Sequence, residues 1–171
     1  MKILITYLVS LIFLSLFHLT TYFYSKDIIL LEGRGLKNCY FKKSTLEDIQ
    51  REFGIPDSFR SNHSKSENIV YSMYGLKFNI CADKLNTIIT LNTFKGKTSK
   101  GISLDSSLED VERIYGTPKL ESSKNKNDSK YWIYPKEGIV FWLDNSKSSN
   151  NKRCIKKIVI CSKKTGEVFK K

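Results

Sequence analysis

Histidine is scarce: two in 171 residues, His18 and His63. No Cys-x-x-Cys and no His-Glu-x-x-His is present, so a zinc centre has no recognisable ligand set. The chain also lacks a Gly-x-Ser-x-Gly elbow and a phosphate loop, and Gly96-Lys97-Thr98 has only the tail of the latter. His63 lies in a Ser/Asn/Lys run, where a solvated imidazole is the default, and a Cys–His nucleophile pair would need it beside an activated thiol. Nothing here specifies a reaction. The expectation is a protein that is not an enzyme and that carries no metal and no cofactor.

Charge is missing from one long stretch. Between Lys2 and Lys26 no residue is charged, and about 20 apolar residues suffice to cross a membrane as a helix. The early part, Ile3 to Phe17, also fits the apolar region of a secretory signal. Thr20-Thr21-Tyr22-Phe23-Tyr24 is too bulky for a small-x-small cleavage site, and no cysteine follows the run to carry a lipid. Residues 1–25 are therefore expected to be a signal anchor or signal peptide, with His18 and Thr20 tolerated within it. The remainder would lie outside the cytoplasm, in the cell envelope, either anchored or exported.

Cysteine is sparse but even in number: Cys39, Cys81, Cys154 and Cys161. In an exported domain these are candidate disulfide residues. Cys154 and Cys161 flank one apparent strand, which sets them roughly 23 Å apart at the rise of an extended chain. A bridge needs Cα atoms within about 7 Å, so that pair is excluded. Either Cys39 or Cys81 then bridges to the second half of the chain, or not all four are oxidised.

What the chain has in abundance is positive charge and self-similarity. Lys and Arg number 29 against 17 Asp and Glu, a balance of +12, which favours acidic partners. Ser44-Thr45-Leu46-Glu47-Asp48-Ile49-Gln50-Arg51-Glu52-Phe53-Gly54-Ile55-Pro56 returns as Ser106-Ser107-Leu108-Glu109-Asp110-Val111-Glu112-Arg113-Ile114-Tyr115-Gly116-Thr117-Pro118. Internal repeats shape the whole fold. Ser44 with Glu47, and Ser106 with Glu109, read as capping boxes. Leu46, Ile49 and Phe53, like Leu108, Val111 and Tyr115, share one helical face. Gly54 and Gly116 suit a positive φ at the helix end, and the following prolines prevent continuation. The paired acids in each first turn favour the positive helix end and need no catalytic explanation.

A polar loop follows each helix, Arg60 to Ser66 in the first copy and Ser122 to Asp128 in the second. Alternating strands come next: Ile69–Tyr74, Leu76–Ile80 and Thr87–Leu91, then Tyr131–Tyr134, Ile139–Leu143 and Ile155–Cys161, the pattern of antiparallel meanders. Tyr71/Tyr131, Tyr74/Tyr134, Gly75/Gly138 and Phe78/Phe141 read as counterparts. Gly96 to Gly101 reads as a linker, and Ser146 to Asn151 as a loop peculiar to the second copy.

The order of capped short helix, aromatic-Gly-x-Pro, Tyr-x-x-Tyr strand, Gly-Ile-x-Phe strand and Ile-rich last strand resembles the small outer-membrane-assembly lipoprotein (SmpA/OmlA) module. It also resembles the paired modules of the β-lactamase inhibitor protein. The likeness covers roughly residues 40 to 162, although the lipidated cysteine is missing and the glycine before the cap is replaced by Lys43 or Asp105. It implies a fold and a habit of binding proteins.

The expected architecture is α+β. An N-terminal transmembrane or signal helix precedes two tandem repeats, 26–95 and 96–171, each a short helical element on a three- or four-stranded antiparallel sheet. The expected function is binding of another protein, as an assembly accessory or an inhibitor or immunity-type module. Candidate contact residues are Tyr71, Tyr74, Tyr131, Trp132, Tyr134 and Trp142, because tyrosine and tryptophan on a rigid sheet are common interface anchors. The alternative is electrostatic binding of anionic lipid or cell-wall polymer, while export disfavours nucleic acid.

Overall fold

A computed structural model describes residues 27–62, 66–122, 130–143 and 155–163. The protein is mostly β, built on two sheets and, among the described residues, two helices. This corrects the α+β tandem architecture: the two meanders are not separate sheets under separate helices but one continuous sheet.

The large sheet has eight strands: β4 (Ser58–Asn62), β5 (Ser66–Tyr71), β6 (Leu76–Cys81), β7 (Lys84–Thr90), β9 (Leu120–Ser122), β10 (Lys130–Tyr134), β11 (Ile139–Leu143) and β12 (Ile155–Cys161). Their order is β4-β5-β6-β7-β12-β11-β10-β9. The two meanders thus join edge to edge through β7 and β12, with Ile89 opposite Val159 and Ile88 opposite Ile160. Buried Thr90 extends the seam, its hydroxyl accepting from the Ile158 N–H at 2.8 Å. Pairing the last strand of each meander removes two edges that would otherwise invite aggregation.

A smaller sheet comprises β1 (Ile29–Leu31), β2 (Gly35–Leu36), β3 (Cys39–Tyr40) and β8 (Lys97–Thr98) in the order β3-β2-β1-β8. The stretch expected as a linker therefore supplies a strand, parallel to β1, with Thr98 buried to 1% exposure. The Arg60 end of the first expected loop likewise belongs to β4. His63 and the 146–151 loop lie outside the described residues.

Helix α1 (Leu46–Phe53) and helix α2 (Leu108–Tyr115) form where the repeat places them. Their caps fall one residue later than expected, at Thr45 with Asp48 and at Ser107 with Asp110. Thr45 Oγ1 accepts from the Asp48 N–H at 3.3 Å, and the Asp48 carboxylate accepts from the Thr45 N–H at 3.0 Å. Ser44 and Ser106 are otherwise engaged: their hydroxyls accept from the N–H groups of Tyr40 and Ser103, bracing the preceding turns. Gly54 and Gly116 end the helices at φ +81° and +77°. A Cβ there would meet nothing within 4 Å, so backbone conformation and not space calls for glycine.

Residues directly opposite in a ladder share a face, and one face of the large sheet packs on both helices. Ile69, Tyr71, Leu76, Phe78, Ile88, Tyr134, Ile139, Phe141, Ile158 and Ile160 meet Ile49 and Phe53 of α1 and Leu108 and Val111 of α2 in one core, joined by Leu30 and Leu36 of the small sheet. Each fully buried aliphatic or aromatic side chain contributes about 1.5–3 kcal/mol. No helix among the described residues is long and apolar enough to cross a membrane. The run Ile3 to Tyr24, on which the anchor or signal expectation rests, lies outside them.

Candidate functional site

The six candidate aromatics divide into two groups. Tyr71 and Tyr134 are buried, at 2% and 3% exposure, and their hydroxyls donate to the helix-terminal carbonyls of Gly54 (3.0 Å) and Gly116 (2.9 Å). Tyr71 packs on Phe53 and Phe78, and Tyr134 on Tyr115 and Phe141, with ring centroids 5.4–5.9 Å apart. Burial pushes both phenols up to about 12. These two are each other's counterparts, which corrects the pairing of Tyr71 with Tyr131. Each stands four residues before the turn glycine, Gly75 or Gly138, and so ends its strand at the same place. Both hold a helix against the sheet and are not surface anchors. Tyr74 packs edge-on against Phe53 at 5.2 Å, and Trp132 lies on the helix-side face against the core. The Trp132 indole N–H is buried without a hydrogen-bond partner.

Tyr131 and Trp142 lie on the opposite face. They are direct partners across β10 and β11, and Trp142 is opposite Lys157 of β12. The two rings sit 5.3 Å apart, and Lys157 Nζ stands 4.4 Å from the Trp142 centroid, a cation–π geometry. Alongside runs an apolar row across four strands, Ile133–Val140–Val159–Ile89. Ile133 and Val140 are nearly covered, at 6% and 4%, yet belong to no part of the helix-side core. Partly exposed Tyr131, Trp142, Val159 and Ile89 surround them. The Trp142 indole N–H has no partner either. Sequence reasoning missed Lys157 and the apolar row. Their signal is β11 itself, Ile-Val-Phe-Trp-Leu, apolar at every position where a half-solvated strand alternates.

The cysteines do not converge. Cys39 is buried in the core, Cys81 is exposed and Cys161 is buried on the outer face; no disulfide joins these three to one another. Burial pushes the Cys161 thiol up to about 11. Cys154 lies outside the described residues. Among the described residues, no group of three or more His, Cys, Asp or Glu side chains could hold a metal ion.

A second feature is a cleft of about 490 Å³ at one end of the molecule. Arg34 follows β1, Lys100 follows β8, Lys136 and Glu137 occupy the β10–β11 turn, and Lys163 follows β12. Glu32 is held by hydroxyl donors from Ser99 and Tyr115. Thr98 Oγ1 lies 3.0 Å from the Tyr115 oxygen and accepts from the Ile102 N–H at 3.1 Å. Burial alone would raise the Glu32 pKa, but the Ser99 and Tyr115 hydroxyls with backbone donors outweigh it and hold the carboxyl below its ordinary value. Burial, with the Glu32 carboxylate beside it, keeps the Tyr115 phenol protonated. Lys100 Nζ stands 4.5 Å from the Tyr115 ring centroid. The cleft depends on Gly33, at φ +69°, where a Cβ would fall 2.6 Å from the Lys163 side chain and 2.9 Å from the Glu137 carbonyl.

Two capped helices on one face of an eight-stranded antiparallel sheet, flanked by a four-stranded sheet, define a mostly-β domain. Residues 30–158 match the domain of unknown function DUF4309, and the chain belongs to that family. This overturns the SmpA/OmlA resemblance. No curated protein is similar enough to count as a relative. Among solved structures, a DUF4309 family protein (YjgB) from Bacillus subtilis matches with TM-score 0.50 at 11% identity, over 76% of this chain and 88% of that one. A cysteine-rich secretory protein (SAV1118) from Staphylococcus aureus matches with TM-score 0.50 at 7% identity, over 80% of this chain and 48% of that one. At such identities the likeness concerns the fold alone.

Proposed function

We propose that this is a non-catalytic, exported domain that binds another protein through the outer face of β10–β12. The observation that carries this reading is the Tyr131–Trp142–Lys157 ladder beside the Ile133–Val140–Val159–Ile89 row. A sheet with helices on one face ordinarily turns polar residues outward. Here the outward side chains are aromatic and branched aliphatic, and the partly exposed Tyr131, Trp142, Val159 and Ile89 offer the kind of apolar contact that anchors interfaces. Lys157 on the Trp142 ring adds a cation that favours a carboxylate on the partner. Export is supported by the uncharged run Ile3 to Tyr24.

The test is site-specific photo-crosslinking in the native host, with the probe at position 142 or at position 79, which faces outward on β6. The proposal predicts one protein partner cross-linked from 142, resistant to high salt because apolar contacts are little screened, and none from 79. Equal yields from both positions would sink it.

A further inference from the structure

The basic cleft shares no residue with the outer-face patch and carries a different ligand. We infer that it binds a polyol phosphate: an anionic phosphate ester bearing free hydroxyl groups. Arg34, Lys100, Lys136 and Lys163 reach it from four separate segments of the chain. Among the described residues none of Arg34, Lys136 and Lys163 is ion-paired with a carboxylate. Four converging cations attract an anion, and the Arg34 fork matches the oxygens of a phosphate.

The two carboxylates narrow the class. Glu32 also lines the cleft, its oxygens accepting from the Ser99 and Tyr115 hydroxyls; it keeps its charge, so four cations against two carboxylates leave the cleft net positive. Glu137 lines the cleft directly. An ionised carboxylate accepts hydrogen bonds and donates none, so it repels a second anionic group and receives a hydroxyl. A ligand with phosphate at one end and hydroxyls at the other satisfies both. The cleft volume lies within the range of small-molecule sites.

Such a group occurs as a free small molecule or as the repeating unit of an anionic polymer. Titration of the full chain by calorimetry with glycerol 3-phosphate, glycerol, inorganic phosphate and a poly(glycerol phosphate) oligomer separates these. Saturable binding of glycerol 3-phosphate, at least several-fold tighter than inorganic phosphate and absent for glycerol, establishes the site for a free ligand. Binding of the oligomer without the monomer establishes it for a polymer unit.

In either case Arg34→Ser with Lys136→Ser should weaken binding at least tenfold with an unchanged circular dichroism spectrum. Glu137→Gln should narrow the preference over inorganic phosphate. Tyr131→Asn should change nothing. No saturable binding of monomer or oligomer, or equal binding by the double variant, overturns the inference.

Discussion

The two halves of the large sheet are built alike on one face and differently on the other. On the helix side Phe78 matches Phe141, Tyr71 matches Tyr134, and each tyrosine closes on the carbonyl of its helix-ending glycine. On the outer side the first half presents Asn68, Lys77 and Asn79, with Asn79 donating to the Ser66 hydroxyl at 2.9 Å. The second half presents Tyr131, Val140 and Trp142 at the corresponding ladder positions. What is repeated serves packing, because both halves must seat a helix. What differs is free of that constraint, and there the proposed binding surface lies.

The comparison can be broken most forcefully in the core. Phe78→Ala and Phe141→Ala, both fully buried, should each cost about 3–5 kcal/mol in urea denaturation. A much smaller loss in one half would show that its helix-side packing is not equivalent.

A subtler probe is the phenol–carbonyl bond. Tyr71→Phe and Tyr134→Phe should each cost about 0.5–1.5 kcal/mol. Both folded-state pKa values, about 12, exceed the ordinary 10.0, so deprotonation favours the unfolded chain. The stability these phenols supply is complete below about pH 10 and is lost as pH rises from there towards about 12. Each Phe variant should flatten that alkaline loss.

Caps give a comparable but purely local effect: Thr45→Ala and Ser107→Ala should each cost about 1 kcal/mol, read by thermal unfolding. Hydrogen bonds from the Thr45 backbone and from the Ser107 side chain hold Asp48 and Asp110 below the ordinary carboxyl value of 3.8. Their contribution is present above that pH and lost as pH falls through the lowered values.

The smallest effect is chemical and leaves the fold unchanged. At pH 8 exposed Cys81 should alkylate well before Cys161, whose thiol is buried and raised to about 11, as peptide mapping would show. Equal rates would mean that the outer face opens readily at Cys161.

Much of this was legible in the sequence, unevenly. Both helices, and the six strands richest in apolar residues, follow from period and punctuation. The cap register did not, because Ser44-Thr45 and Ser106-Ser107 each offer two hydroxyls, and the turn before the helix decides which one caps. Strand β4, Ser-Phe-Arg-Ser-Asn, and the two- and three-residue strands of the small sheet carry too little pattern to announce themselves. The β7–β12 seam depends on tertiary register, which no local signal encodes. Of the candidate aromatics, Tyr131 and Trp142 lie on the outer face and Tyr71 and Tyr134 in the core, a division that could not be made without a register. The cleft was invisible, since its cations come from segments that only the fold brings together.

One measurement tests the central claim directly: give the second half the outer face of the first. Tyr131→Asn with Trp142→Asn places there the residues that β5 and β6 carry at Asn68 and Asn79. The account predicts an intact fold by circular dichroism and loss of the protein partner cross-linked from position 159 within the patch. A folded variant that still captures that partner in full would contradict it.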